Sequence, residues 1–353
     1  MIRLKDIAEK AGVSVMTVSK VLRDAPDISA ATKARIRALA QEMGYVPDSL
    51  AQGLRTRTTK LFGLVISAMT NPIFARVVMA IEEQAHELGY AVILSHTLNL
   101  PEREDSAIRR LMSRRVDGLF VSPVYRLAPE APIYKELHRS GIPTVILGHS
   151  APFCSQFVNV DTEDIPASHA ATQHLLDLGH RRIAFFAGPQ VAPWAQERLE
   201  GYRRALREAG IEVDDKLIFV AGGTLEEGEK AALQMLNEGT DATAVQAVND
   251  LVAIGAANVF LNQHIKIPEE LSVVGFGNVL IAEYFRVPLT TIRQPKFRLG
   301  VAAVNSMLKL MQGRRPESKR LPAEIVVRSS TAVPPTTRHV HNRTVEKTET
   351  KIV

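Results

Sequence analysis

The chain has 353 residues, 46% hydrophobic and 23% charged, enough material for more than one ordinary globular domain. A single cysteine, Cys154, excludes an intrachain disulfide framework and fits a reducing compartment. The opening MIRLKDIAEK has no apolar h-region, and no apolar run approaches the roughly 18 residues of a membrane span, so a cytoplasmic protein is expected.

The formal net charge of +5 is unevenly placed. Residues 1–60 carry 11 Lys/Arg against 6 Asp/Glu, and the rest of the chain holds 32 of each. All the excess positive charge sits in the first sixth, which predicts a small module facing a polyanion on a larger neutral body.

Leu4, Ile7, Ala8 and Ala11 fall at helical spacing, and Gly12 stops that first helix. Ser14 is placed to cap a second helix by accepting from the amide of Met16 or Thr17. Its inward stripe is Val18, Val21 and Leu22, which leaves Val15 and Met16 off the stripe. Asp24 to Asp27 reads as a loop. Ser29 caps a third helix with inner face Ile36, Leu39, Ala40 and Met43, ended by Gly44. Two short helices around a glycine turn with a third in support is a helix-turn-helix pattern, whose second helix presents its N-terminal residues to base edges.

LKDIAEKAGVSVMTVSKVL, followed by TKARIRALAQEMGYVPDSLAQGL, closely resembles the DNA-binding head of the lactose-repressor (LacI/GalR) family of bacterial transcription regulators. The resemblance implies that Val15, Met16 and Lys20 select bases and that Thr17, Ser19 and Ser29 contact phosphates. The expected module spans 1–46. GYVPDSLAQGLRTRTTK then supplies a linker over 47–60 that is too short, and too weakened by Gly53, to hold a helix alone. By the resemblance this is a hinge helix that orders against a twin and DNA. Leu54 would wedge into a minor-groove step, with Arg55, Arg57 and Lys60 beside phosphates.

From residue 61 the pattern becomes alternating strands and helices. Strand-like runs lie at 61–67, 91–95, 118–122, 144–148, 182–188, 217–222, 244–248 and 271–276. Amphipathic helices include Phe74–Leu88, Ala167–Leu178, Gln196–Ala209, Glu226–Glu238 and Val252–Asn262. Continuous apolar strands alternating with helices predict parallel sheets covered on both faces. The expected fold is an all-α head plus an α/β core of two lobes (about 62–160 with 292–322, and 161–291 with 323–333). The resemblance implies a periplasmic-binding-protein-like core with a ligand cleft and chain crossovers between the lobes. The polar tail, 334–353, is expected to be disordered, and its HVH is only a weak metal pattern.

Ligands of such sheets bind beyond the carboxyl ends of strands, which selects Ile73 and Phe74, Ser122, Trp194 to Arg198, and Asn249 with Asp250. The family resemblance implies effector contacts at Phe74, Arg198 and Asn249. A guanidinium at 198 suits vicinal hydroxyls or a carboxylate, and Trp194 suits a sugar face or a loop anchor. Asn249-Asp250 reads equally as a helix N-cap, and His180 as a turn residue before a strand.

The family usually carries an Asp where this chain has Gly277, in VVGFGNVLIAEYF. Loss of that acceptor disfavours a neutral sugar in the usual pose and points to a sugar acid or a phosphorylated sugar. The reading is therefore a dimeric repressor of carbohydrate-related genes that binds a palindromic operator and answers a small effector. It needs no cofactor or metal and does not act as an enzyme. A phosphoprotein co-regulator in place of the effector is the alternative. A sugar-processing enzyme is disfavoured because no nucleophile elbow, phosphate loop or metal cluster is present.

Overall fold

The computed structural model describes residues 2–45 and 58–336, in two compact units divided at Thr59 and Lys60. Within the first unit, α1 (Leu4–Ala11), α2 (Val15–Leu22) and α3 (Ala30–Glu42) form a three-helix unit. Gly12, at φ 67°, takes the left-handed conformation that ends α1. Ser14 caps α2 by accepting from the Thr17 amide at 3.1 Å, and Ser29 caps α3 from Thr32 at 3.3 Å. The core of this unit is small: Ile7, Ala8, Ala11, Val18, Val21, Ile36 and Ala40 are buried, with Leu22, Leu39 and Met43 partly so.

The second unit is built on two six-stranded sheets. In chain order its elements are β1 (Leu61–Ile66), α4 (Ile73–Glu87), β2 (Ala91–His96), α5 (Pro101–Ser113), β3 (Gly118–Val121), α6 (Pro132–Ser140), β4 (Thr144–Leu147) and β5 (Val158–Thr162). There follow α7 (Asp164–Asp177), β6 (Ile183–Ala187), α8 (Pro193–Glu208), β7 (Ile218–Val220), α9 (Leu225–Glu238), β8 (Ala244–Ala247), α10 (Asp250–Asn262) and β9 (Ser272–Gly277). The chain ends with α11 (Leu280–Tyr284), β10 (Thr290–Arg293), α12 (Lys296–Met311), β11 (Lys319–Leu321) and β12 (Glu324–Val326).

The first sheet has the order β11-β5-β4-β3-β1-β2, and the second β12-β10-β9-β8-β6-β7. Strands β3, β4, β6, β8 and β9 are buried along their whole length, as their near-continuous apolar runs require. Pairing is parallel except between β10 and β12. That edge strand departs from the all-parallel expectation because it enters the second sheet from β11 without a crossover helix to reverse it. Gly201 has a packing reason: a Cβ there would meet Ile165 O at 2.4 Å, so its absence lets α8 lie close against α7.

The chain passes between the sheets three times, after Thr162, after Arg293 and after Leu321. Pairing of β5 with β11 keeps Asp161 and Thr162 in the first sheet, and β10 stays in the second up to Arg293. The lobes therefore exchange a few residues later than the pattern around 160 and 292 suggests. Tyr125 packs against the apolar cores of both lobes. Residues 331–334 also lie within the described part of the second lobe, where the Ala332 amide donates to Ser272 Oγ.

Candidate functional site

On α2, the buried Val18 and Val21 face α1 and α3, while Met16 is 64% exposed and Val15 44% exposed. Two apolar side chains on the first turn of a capped helix, facing solvent, have no packing role in this unit. Thr17 Oγ1 lies 2.9 Å from Ser14 Oγ, so this hydroxyl is engaged in the cap as well. Lys20 Nζ bonds Asp27 at 2.5 Å, and Asp24 pairs with Lys33 and Arg37, which ties the loop to α3. Ser19 is partly buried and Ser29 is exposed at the start of α3. Leu54, Arg55 and Arg57 lie outside the described residues.

In the second unit, the carboxyl ends of the two sheets carry the other candidates. Arg198, on α8, is buried to 6% exposure. One terminal nitrogen donates to Val248 O at 2.8 Å, and the other reaches both Asp164 oxygens at 3.3 Å. Its guanidinium carbon sits 3.7 Å from the Phe276 ring centre and 4.9 Å from that of Trp194. Its Nε is buried with no partner among the described residues. Burial works against both charges, pushing the Asp164 carboxyl up and the Arg198 guanidinium down, and the ion pair opposes each shift.

Trp194 thus stacks on the arginine. Asn249 uses its side chain twice: Oδ1 accepts from the Val252 amide at 2.8 Å, and Nδ2 donates to Gly223 O at 3.0 Å. It is the N-cap of α10, and both polar ends are occupied. The fully buried Asp250 accepts from the Val279 amide and from the Thr291 hydroxyl, so it fixes the turn after β9. Ile73 and Phe74 start α4, with Phe74 packed on the first lobe's core, and Ser122 is buried at the end of β3.

Gly277 has φ +139°, and Asn278 follows at φ +49°. A Cβ at 277 would stand 3.2 Å from Asp250 Oδ2. The turn is gripped from two sides. Lys296 donates to Gly277 O at 2.5 Å and Asn278 O at 2.8 Å, and Arg328 donates to Asn278 Oδ1 at 2.8 Å.

Sequence reasoning missed a charged cluster that spans the lobes. His149 follows β4, Asp161 lies in β5, Glu197 precedes Arg198 on α8, and Arg320 lies in β11. Arg320 bonds Asp161 at 3.1 Å, Thr162 O at 3.1 Å, and Glu197. His149 Nε2 is 3.1 Å from Glu197 and 3.6 Å from Asp164. Burial pushes the Asp161 carboxyl up, whereas hydrogen bonds from His149 and Arg320 outweigh burial at Glu197 and hold it down. The sequence signals were Asp161, a carboxylate inside a strand, and Glu197, which lies within the Trp194 to Arg198 stretch. Lys296, just after a crossover, gave none. Two shallow surface depressions among the described residues, one beside Lys135 and His138 and one beside Arg203 and Arg207, include none of these residues.

A helix-turn-helix unit and a two-lobed parallel α/β body together define a ligand-responsive DNA-binding regulator. Residues 3–48 match the family of bacterial regulatory proteins described as lacI, and residues 172–331 match the periplasmic binding protein-like domain. The transcriptional repressor PurR of Photobacterium profundum is 31% identical over 94% of this chain and 98% of its own length. The transcriptional repressor CytR of Escherichia coli K12 is 32% identical over 94% of this chain and 97% of its own. Among solved structures, the Lac repressor dimer bound to operator and the anti-inducer ONPF superposes with a TM-score of 0.83 at 29% identity. It covers 94% of this chain and 99% of that one. The CelR–cellobiose complex gives 0.71 at 30%, covering 94% of this chain and all of that one. The chain belongs to the LacI family: it is a DNA-binding transcriptional repressor under effector control, and its relatives are regulators rather than enzymes. No helix among the described residues is long and apolar enough to cross a membrane.

Proposed function

We propose that this protein is a cytoplasmic homodimer that represses carbohydrate-related genes from a palindromic operator on the nucleoid. Exposure of Val15 and Met16 at the start of a capped helix supports the DNA-reading part. They pack on thymine methyls, since apolar side chains cannot form bidentate bonds to a base, and Lys20 leaves Asp27 to donate to guanine. Thr17, Ser19 and Ser29 contact phosphates. Leu54 wedges into a central step with Arg55 and Arg57 beside the backbone. Selection of operators from random DNA tests this, and a half-site indifferent to thymine at the Val15 and Met16 positions overturns it.

The effector is a small sugar-derived molecule with an acidic group, a sugar acid or a phosphorylated sugar, held between the lobes near Ile73, Phe74, Ser122, Trp194, Arg198, Asn249 and Gly277. The observation that supports this is Arg198, buried with its Nε unpartnered among the described residues and stacked on Phe276, which directly precedes Gly277. A buried donor without an acceptor costs about 1–3 kcal/mol, which a ligand oxygen recovers. Calorimetric titration with sugar acids beside neutral sugars tests the class: binding confined to neutral sugars overturns it. Arg198→Ala is expected to abolish the effector response and leave operator affinity unchanged.

A further inference from the structure

The turn after β9 is where the acidic-effector reading meets a residue that neither the sequence pattern nor the family resemblance brought forward. Lys296 opens α12 directly after the crossover at Gln294 and Pro295, and Gln294 itself donates to Thr162 of the first lobe at 3.1 Å. Lys296 is therefore placed where the lobes adjoin, at the carboxyl end of β9.

Its Nζ has two acceptors, the carbonyls of Gly277 and Asn278. An ammonium has three donors. Among the described residues no carboxylate forms an ion pair with it, although it is half-buried. Asp250 is the nearest acidic influence, and its oxygens are taken by Val279 N and Thr291 Oγ1. Arg76 of α4 and Arg293 of β10 add weaker repulsion, although Arg293 is itself paired with Glu324. A partly desolvated cation held by carbonyls, with only the already engaged Asp250 to favour its charge, gains from an anion that completes it. Burial, with the two arginines, pushes Lys296 down to about 8.

Gly277 supplies the other half. Without a side chain it carries no carboxylate of the kind the family resemblance leads one to expect there, and a Cβ at this position would stand against Asp250 rather than Lys296. Phe276, one residue earlier, carries the Arg198 guanidinium with its unpartnered Nε. Arg198 thus keeps a donor without an acceptor against Phe276, and Lys296 keeps one of three donors beyond its two carbonyls at Gly277 and Asn278.

We infer that Lys296 pairs with the anionic group of the effector, a carboxylate or phosphate, and that the Lys296–Gly277 combination selects acidic over neutral sugars. This rests on the effector reading above and deepens it. Binding of an anion favours the ammonium form, so affinity for an acidic ligand is full below pH about 8 and falls as pH rises through that value. A lysine that only braces the turn gives neutral and acidic ligands the same pH profile.

The test is calorimetric titration of the full-length protein with glucuronate, galacturonate, gluconate and glucose phosphate, beside glucose and galactose, from about pH 7 to about pH 9. Separate arms for carboxylates and phosphate distinguish the two sources of negative charge. For wild type, an acid is expected to bind, with affinity falling at the alkaline end. Lys296→Gln is expected to lose about tenfold to a hundredfold in acid affinity and its pH dependence, while neutral sugars change little. Acid binding that is unchanged in Lys296→Gln overturns the role of Lys296 and leaves the effector reading standing. Binding of neutral sugars alone, or of no member of the panel, overturns that reading and the inference with it. Should Lys296→Gln not fold, Lys296→Met is read in the same way. A flat wild-type pH profile for the acid overturns the inference without any variant.

Discussion

His149 Nε2 lies 3.1 Å from Glu197 Oε2, and the two residues come from opposite lobes. Arg320, also on the first lobe, grips the same carboxylate. Glu197 is therefore the one second-lobe side chain on which two first-lobe groups converge in this cluster. Glu197→Ala is expected to let the lobes part more readily, because the clasp loses its shared acceptor. Amide exchange should rise around 148–150 and 319–321 relative to the strand interiors. Unchanged protection there sinks the clasp.

Glu104 is fully buried on α5, where it accepts from Val124 N and Tyr134 Oη at 2.7 Å each and pairs with Arg126. Desolvation pushes its carboxyl up, against those partners. Glu104→Ala leaves the Val124 amide, the tyrosine hydroxyl and Arg126 without their acceptor. The expected loss is about 3–5 kcal/mol in denaturant unfolding. Because Tyr125 between those partners donates to His149 O, effector affinity should fall too. A loss below about 1 kcal/mol counts against the network.

His180 is buried between Thr243, Ser272 and the carbonyl of Ala332, and burial holds its ring below the usual histidine value of 6.5. His174, bonded to Thr331, is shifted the same way. A histidine with a lowered folded value binds fewer protons folded than unfolded. Its contribution is thus present above about 6.5 and lost as pH falls below it. Amide exchange at 330–332 is expected to accelerate as pH drops below about 6.5, after correction for intrinsic rates. In His180→Asn that acceleration should shrink; an equal response in the variant removes His180 as its cause.

Leu54→Ala is expected to weaken specific operator binding by about one to two orders of magnitude while sparing effector binding, since an apolar wedge is what holds a kinked step open. Gel-shift titration against operator and scrambled DNA reads it. Equal operator affinity in the variant would falsify the wedge.

Much of this architecture was legible because it rests on strong local signals. Ser14, Ser29 and Gly12 mark helix ends through chemistry that acts over three or four residues, and the buried strands announce themselves as unbroken apolar runs. Elements such as β5, β11 and β12 were harder to see. They are three to five residues long, carry Asn, Asp, Lys, Arg or Glu, and exist through pairing with strands distant in sequence. The cleft was half visible for the same reason. Arg198 followed a recognisable strand and helix, whereas its partner Asp164 and the clasp from His149 to Arg320 depend on contacts 34 to 171 residues apart. Asn249 shows the opposite case: its N-cap role is local and legible in the sequence, and only the bond from its Nδ2 to Gly223 O depends on a distant contact.

β11 and β12 are separated only by Pro322 and Ala323, yet they close the outer edges of different sheets. The first sheet lacks its last strand until residue 321 has left the ribosome, although most of it is synthesised by residue 162, and the second lacks its own until residue 326. The first nascent lobe must wait with its β5 edge open while well over a hundred further residues are made, the second waits only from β10 to β12, and both edges are then covered within one short passage of chain. Such late, long-range closure slows folding and leaves unpaired strand edges exposed to other chains. Truncation just before β11 would therefore strip an edge from both lobes at once, and chaperone dependence during synthesis follows from the same threading.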